Sequence, residues 1–550
     1  MTLIIVGGVA GGATAATRAR RLSEYAKIIV FERGKYASFA NCGLPYYIGG
    51  KIKKRKNLFL MTPERFKGRW NIDLRTQCEV LSIDREKKEV DVKDHSSGEI
   101  YKQAYDKLIL SPGAYPLKPP IPGIDSRNVF TLRTIPDADS IIGRVQSQNA
   151  HHAVIVGGGF IGLEMAENLK NRGLKVSIVE MLKQVLPPLD PEMAVQVHHH
   201  LEKKGIALHL GAAAAGFAED AGGIIVKLEN GEEILSDLVV LAIGVKPEVR
   251  LAKEAGLEIG VHGGIQVNAR LETSDPDIFA IGDAVEVKHY VTGKNVLIPL
   301  AGPAAKQARI AADNVFGGDS HYHGTQGTSV VKVFDLTVGF TGANEKLLRE
   351  AGMPYKKTYL YPASHATYYP EAHFLNMKLL FSPDKGEILG AQIIGEAGVD
   401  KRIDVLATAI RAGMTVYELE ELELSYAPPY GSAKDPVNMA GYVAANDLRS
   451  DVDVIHATEL EELDPNSTVI LDVRTKSEYE KGHIKGAKHI YVDELREHLD
   501  EIPKAMRVIL YCETGLRSYY AYRILKQRGF KVFNLSGGIM NYTAVDEIKR

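Results

Sequence analysis

Apolar positions early in the chain fall in short continuous runs, each followed by glycines and then by a helical pattern. Leu3 to Val6 is the first run, and it leads into Gly7-Gly8-Val9-Ala10-Gly11-Gly12 and the stretch ATAATRARRL. A second run, Ile28 to Phe31, ends at Glu32, 20 residues after Gly12. This order predicts a strand–helix–strand unit whose turn lets backbone N–H groups approach a pyrophosphate. Glu32 is placed for a ribose hydroxyl. Val9 stands where the G-x-G-x-x-G pattern has its middle glycine.

The pattern returns 150 residues later. Val154 to Val156 precede Gly157-Gly158-Gly159-Phe160-Ile161-Gly162, then EMAENLKNRG and VSIVE. Here Gly157, Gly159 and Gly162 match in full, and Glu180 lies 18 residues after Gly162. Two such units in one chain imply two electron carriers that hand over a hydride. LILSPGAYP, with Ser111 and Gly113, and LAIGVKPEV each end a strand in a glycine turn, and TSDPDIFAIGDAVEV carries Gly282 and Asp283. From about 325 to 445 strands and helices alternate. Residues 446–455 are polar and read as a linker. Beyond them, VILDVRTKSEYEKGHIKGAKHI and VILYCETGLRSYYAYRIL form a separate unit. In it a strand ends at Cys512, the loop Cys512-Glu513-Thr514-Gly515-Leu516-Arg517 follows, and a helix is expected to start near Ser518.

Composition narrows the class. With 550 residues, three to four domains are expected. The chain is 45% apolar and 25% charged, which is ordinary for a soluble globular protein. No run of eighteen apolar residues predicts a membrane span, and MTLIIVGG reads as a first strand, not a signal peptide. Lys+Arg is 67 and Asp+Glu is 69, a net charge of −2, so no nucleic-acid partner is expected. The three cysteines, Cys42, Cys78 and Cys512, fit a reducing cytoplasm.

Over roughly the first 445 residues these motifs resemble the two-dinucleotide flavoprotein disulfide reductase family. The D-V-R from Asp472, the G-H-I-x-G-A from Gly482 and the C-x-x-G-x-R from Cys512 resemble a rhodanese. The resemblance implies an α/β chain with two Rossmann-like dinucleotide-binding domains, an α+β dimerisation domain and a C-terminal α/β rhodanese domain. It places an FAD-binding domain at 1–112 and 245–322, an NAD(P)H-binding domain at 113–244, a dimerisation domain at 323–445 and a rhodanese domain at 456–550. FAD would be held by Gly7, Gly12, Glu32, Ser111, Gly113 and Asp283, and NAD(P)H by Gly157, Gly159, Phe160, Gly162 and Glu180. Phe160 would gate the nicotinamide pocket. Glu180 favours NADH, because an acid there bonds a 2′-hydroxyl and repels a 2′-phosphate.

Cys42, in SFANCGLPYYIGG, is expected to be the redox cysteine. Family members with an internal dithiol carry a second Cys five positions on, where this chain has Tyr47. Peroxidase relatives carry a His in the first glycine loop, where this chain has Ala10. Asn41 before Cys42, with Tyr46 and Tyr47 after it, is similar to coenzyme A disulfide reductases and their persulfide-reducing relatives. That similarity implies coenzyme A as substrate or bound ligand. Arg18, Arg21 and Arg69 would serve its nucleotide end, and Ser38 and Asn41 its pantetheine arm. Arg18 and Arg21 share a helix face at i,i+3. KIKKRK, Lys51 to Lys56, reads as solvated surface charge. Tyr368 and Tyr426, with Tyr369 and Tyr430 as close competitors, would by the resemblance come from the other subunit of a homodimer and give a proton to a leaving thiolate. Ala305 stands where the family has Asn, which puts substrate preference in doubt.

Cys512 heads a loop whose amides would stabilise a thiolate or persulfide, and Arg517 closes that loop. Cys78 reads as structural. His198, His199 and His200 point about 100° apart on a helix and cannot converge on a metal, so no metal site is expected. The resulting expectation is an NADH-dependent flavoenzyme reducing a low-molecular-weight persulfide or polysulfide, coenzyme A persulfide favoured, with rhodanese-mediated sulfur transfer. A coenzyme A disulfide reductase with an independent sulfurtransferase is the alternative. An NADH oxidase or peroxidase and a non-enzymatic sulfur-trafficking module stand further off.

Overall fold

The computed structural model describes residues 1–147, 150–220 and 222–549. The chain forms two compact units: Met1–Leu182 with Gly205–Gly327, and Lys183–Lys204 with Thr328–Arg550.

In the first unit, Thr2–Val6 is the central strand of a five-stranded parallel sheet. Lys27–Glu32 pairs on one side and Lys107–Leu110 on the other. His152–Val156 holds the same central place in a second five-stranded parallel sheet. Leu3, Ile4, Ile5, Val154 and Ile155 are fully buried. Strands covered on both faces need apolar side chains at every position, which is why the runs are continuous. In each sheet the order of strands reverses at the central one. Such a switch point opens a crevice at the strands' carboxyl ends, where open α/β sheets take their ligands.

The second unit contains a five-stranded antiparallel sheet. Its strands run in the order Ser329–Val333, Leu336–Gly342, Ile388–Gly395, Asn376–Phe381 and Lys356–Leu360. A further sheet, wholly parallel, holds Arg507–Tyr511 between Lys531–Leu535 and Thr468–Asp472. The fold is thus the mixed α/β architecture expected. Residues 446–448, read as linker, form the last turn of the helix Pro436–Leu448, and Val454–Ile455 pairs with Lys531–Leu535. Among the described residues no helix is long and apolar enough to cross a membrane.

Residues 183–204 lie inside the expected nucleotide-binding stretch 113–244, yet they pack with the second unit. One reason is electrostatic. Lys378, on Asn376–Phe381, is fully buried, with its Nζ 2.7 Å from Asp190, 2.5 Å from Glu192 and 2.5 Å from Glu345. Tyr359 donates to Glu192 at 2.8 Å. Three carboxylates converge as they would on a metal, but the cation they share is an ammonium. Burial pulls Lys378 down, and Tyr359 with the three acids outweighs it, holding the group well above its ordinary value. Burial wins at Asp190, which is raised, whereas Lys378 and Lys357 overcome burial at Glu345 and lower it.

Lys378→Met leaves buried Asp190 and Glu192 without their cation, while Glu345 keeps Lys357 at 2.9 Å. It should cost about 3–5 kcal/mol, read as a lower melting temperature of the purified protein at neutral pH. An unchanged melting temperature would refute the clamp.

Candidate functional site

The two glycine turns are built alike. Gly7 has φ +97°, and a Cβ on it would lie 2.1 Å from the Ser111 carbonyl oxygen. A Cβ on Gly12 would lie 1.8 Å from the Gly7 carbonyl oxygen. In the second turn Gly157 has φ +111°, and a Cβ on Gly162 would lie 2.0 Å from the Gly157 carbonyl oxygen. Only glycine permits these approaches, which press the helices Ala10–Leu22 and Phe160–Asn171 against their loops. Gly159 meets nothing within 4 Å, so the middle of the second turn stays open. Val9 takes the non-helical cap position of the first helix.

The acids at the strand ends brace these turns. Glu32 accepts from the Gly8 and Gly34 amides at 2.9 and 2.7 Å. Glu180 accepts from the Gly158 and Leu182 amides at 2.7 and 2.8 Å. Burial raises the Glu32 carboxyl in spite of its amide donors. Val6, Gly7, Phe31, Glu32, Glu248 and Arg250 line a hollow beside the first turn. Asp283 sits in the turn Gly282–Ala284, whose Gly282 amide donates to Gln307 at 2.7 Å. A cradle that a Cβ would fill, a helix N-terminus and an acid at the next strand end together fit an adenine dinucleotide at each turn.

Cys42 lies in the short 3-10 turn Asn41–Gly43, ahead of the helix Leu44–Ile48. It keeps an exposed face. Partial burial and then the Glu164 carboxylate push its thiol up, while Arg133 opposes them. Glu164 accepts from the Tyr46 hydroxyl at 3.0 Å. Burial, followed by Glu164, pushes Tyr46 up as well. The segment is fixed to the second glycine-turn helix: Arg172 donates to the Ile48 carbonyl at 2.8 Å, and a Cβ on Gly49 would strike Asn168. Arg133 reaches Asp283 at 3.5 Å and would meet a Cβ on Gly113 at 2.7 Å. With its amide oriented to satisfy both atoms, Asn41 bonds the Arg133 carbonyl at 2.9 Å and its guanidinium at 3.2 Å.

The residues expected around an anionic substrate separate into groups. Arg18 is ion-paired to Asp313 at 2.6 Å. Arg21 lies over the ring of Trp70, the neighbour of exposed Arg69, so the structure brings these two cationic segments together. Ser38 is buried with φ +46°, a strained conformation for a non-glycine residue, and its amide donates to Gly8 at 2.8 Å. Lys51, Lys53, Lys54 and Lys56 line an open hollow, whereas Arg55 turns inward to Asp139 at 2.7 Å. In the second unit the Tyr368 and Tyr426 hydroxyls lie 2.9 Å apart, both side chains exposed.

Cys512 is fully buried at the floor of its loop. Its sulfur accepts from the Gly515 amide at 3.2 Å and the Ser518 hydroxyl at 3.5 Å. The helix starts at Leu516, two residues before the expected Ser518, because Gly515 at φ +100° turns the chain early. The Cys512 carbonyl is taken by the Ile539 amide, at 2.9 Å. Thr514 is half-buried and Leu516 exposed. Cys78 is buried in the core of the first unit. His198 accepts from Val185 and His199 faces Glu547, so consecutive histidines do take different partners. Burial takes His198 down to about 4.

Sequence reasoning did not single out Arg133, Glu164 or Gln307. Glu164 carried one local signal, an acid two residues past the last glycine of the second turn. Gln307 stood only as the matching Gln of the stretch that carries Ala305, and Arg133 carried no signal, because its partners are remote in the chain.

The profile of the pyridine nucleotide-disulphide oxidoreductase family matches residues 1–308, that family's dimerisation domain matches 328–435, and a rhodanese-like domain matches 456–545. A coenzyme A disulfide reductase of Staphylococcus aureus is 35% identical over 443 residues, covering 80% of this chain and 99% of the relative. The crystal structure of reduced Bacillus anthracis CoADR-RHD superposes with a TM-score of 0.97 at 49% identity, covering 99% of this chain and 98% of that one. The structure of a NAD-dependent persulfide reductase from A. fulgidus gives a TM-score of 0.92 at 40% identity, covering 98% and 100%. Two dinucleotide cradles, a cysteine fixed to the helix of the second, and these matches over nearly the whole length make the chain a member of the pyridine nucleotide-disulphide oxidoreductase family, an oxidoreductase using FAD and NAD(P)H that carries a dimerisation and a rhodanese-like domain.

Proposed function

We propose that this enzyme reduces a thiol persulfide or polysulfide with NADH, coenzyme A persulfide being the favoured substrate, and that Cys512 carries sulfane sulfur for it. The observation that supports this most is the presence of two differently housed thiols in one chain, Cys42 with an exposed face and Cys512 buried beneath converging donors. A reductase of plain disulfides has no use for the second. The likeness to a persulfide reductase over the full length points the same way.

The reaction balances as R–S–SH + NADH + H⁺ giving R–SH, H₂S and NAD⁺. The Cys42 thiolate attacks the sulfur bonded to R, forming a mixed disulfide and releasing hydrosulfide. FAD, when bound, carries the electron pair from nicotinamide to sulfur. Gly7, Gly12, Glu32, Ser111, Gly113 and Asp283 would hold it, with Gly157, Gly159, Phe160, Gly162 and Glu180 holding the nicotinamide nucleotide. Tyr368 and Tyr426, offered across a homodimer, give a proton to the departing thiolate. Asn41 and Ser38 contact the pantetheine arm, and Arg21 and Arg69 the nucleotide end. Arg18 contributes less charge, because Asp313 already neutralises it. The expected domain limits, apart from residues 183–204 and 446–448, belong to this reading, with a cytoplasmic location and no nucleic-acid or membrane partner. The Staphylococcus aureus relative favours a second reading, in which coenzyme A disulfide is the substrate and the rhodanese acts on its own.

NADH oxidation under argon with coenzyme A persulfide, polysulfide and coenzyme A disulfide separates the two. The persulfide reading expects fastest turnover, with sulfide release, on the first two. Cys42→Ser should lower turnover at least about a hundredfold, and Cys512→Ser should slow polysulfide turnover alone. Fastest turnover on the disulfide, indifferent to Cys512, would establish the second reading.

Glu164→Gln removes the carboxylate that repels the Cys42 thiolate. The thiol pKa should fall, and alkylation of the reduced holoenzyme at neutral pH should quicken severalfold; an unchanged rate–pH profile would show that Glu164 does not act on Cys42. Glu180→Gln should move the ratio of kcat/KM for NADPH over NADH upward about tenfold, whereas an unmoved ratio would detach Glu180 from the ribose.

A further inference from the structure

The cationic signature of the C-terminal loop is already spoken for. Arg474 is held by Asp472, with Nε 3.1 Å from both carboxylate oxygens and Nη2 2.8 Å from one of them. Arg517 makes a two-pronged contact with Glu478, 2.7 Å on each side. Arg517 and then Thr475 outweigh burial and hold the Glu478 carboxyl down, to about 2. Each guanidinium therefore has its own carboxylate.

Glu513 is a third acid, next in the chain to Cys512. Its Oε2 lies 3.1 Å from Arg474 Nη1, and its side chain is 43% exposed. Its charge also acts on Arg517 and on half-buried Tyr361. Asp493 faces the same region through Tyr491, which senses Arg517 and Glu478. Two cations thus meet three acids at the loop itself, before any charge on the Cys512 sulfur is counted. A loop so balanced repels a small dianion more than a donor whose sulfane sulfur is neutral or singly charged.

We propose that Glu513 determines the sulfur donor of the Cys512 loop, disfavouring thiosulfate and admitting thiol persulfides. This rests on the sulfurtransferase reading of Cys512. With a persulfide, Cys512–S⁻ attacks the outer sulfur of R–S–SH, giving Cys512–S–SH and R–S⁻. With thiosulfate, the same attack gives Cys512–S–S⁻ and sulfite, and the incoming dianion must approach beside Glu513. Cyanide then removes the sulfur as thiocyanate and restores the Cys512 thiolate. Glu513 is a specificity determinant in this scheme and takes no part in bond making.

The test uses the full-length holoenzyme and follows thiocyanate formation from thiosulfate and from glutathione persulfide. Cys512→Ser supplies the uncatalysed background. In Glu513→Gln the ratio of kcat/KM for thiosulfate over persulfide should rise about tenfold, through a lower KM for thiosulfate. Glu513→Asp, which keeps the charge, should keep the wild-type ratio. An unmoved ratio in the Gln variant, a change confined to kcat, or an Asp variant that behaves like Gln would overturn the proposal. Mass spectrometry of wild-type Cys512 after each donor separates the two failures. If neither donor leaves an added sulfur, the sulfurtransferase reading itself falls, and the proposal with it.

Discussion

Backbone pressed against backbone, at Gly12 over Gly7 and at Gly162 over Gly157, is the contact from which the first unit is organised. A methyl group at either place would collide with a carbonyl oxygen and push the helix off its strand. That closeness brings helix N-termini to the carboxyl ends of central strands, where Glu32 and Glu180 then pin the turns through their amides. The second of these helices has another task. Through Glu164, Asn168 and Arg172 it fixes the segment that carries Cys42. Cys42 is thus positioned by the helix of the turn proposed for the nicotinamide nucleotide, and displacement of that helix would disturb both.

The two proposed working thiols sit in opposite settings. Cys42 has a carboxylate as neighbour and an exposed face, so its thiolate is disfavoured by its surroundings. Cys512 has an amide and a hydroxyl aimed at its sulfur and is wholly buried. Donors directed at sulfur stabilise negative charge there whether the sulfur is a thiolate or a persulfide. The division suits a pair in which one thiol must meet a substrate from outside and the other must hold a reactive sulfur away from water.

The continuous apolar runs and the glycine spacings revealed both parallel sheets and both turns, because a strand buried on two faces has no freedom in its side chains. The Cys512 loop was equally readable, since its motif is local. What could not be read were pairings between distant residues. Arg133 meets Asp283 and Asn41 only after folding, and Gln307 reaches Gly282 across 25 residues. Arg18 looked like a free cation because its partner, Asp313, is 295 residues away. The placement of 183–204 was hidden for the same reason: its Glu192 meets a lysine 186 residues away in the chain.

That last arrangement bears on how such a protein can be assembled or taken apart over evolutionary time. A gene cut at residue 327 would not release an independent nucleotide-binding module. The excised piece would carry Asp190 and Glu192 without Lys378, and its companion would keep Lys378 facing an incomplete set of acids. Neither half inherits a neutral interior. The buried ammonium limits modularity: residues 183–204 and the antiparallel sheet keep their charges balanced only when both are present.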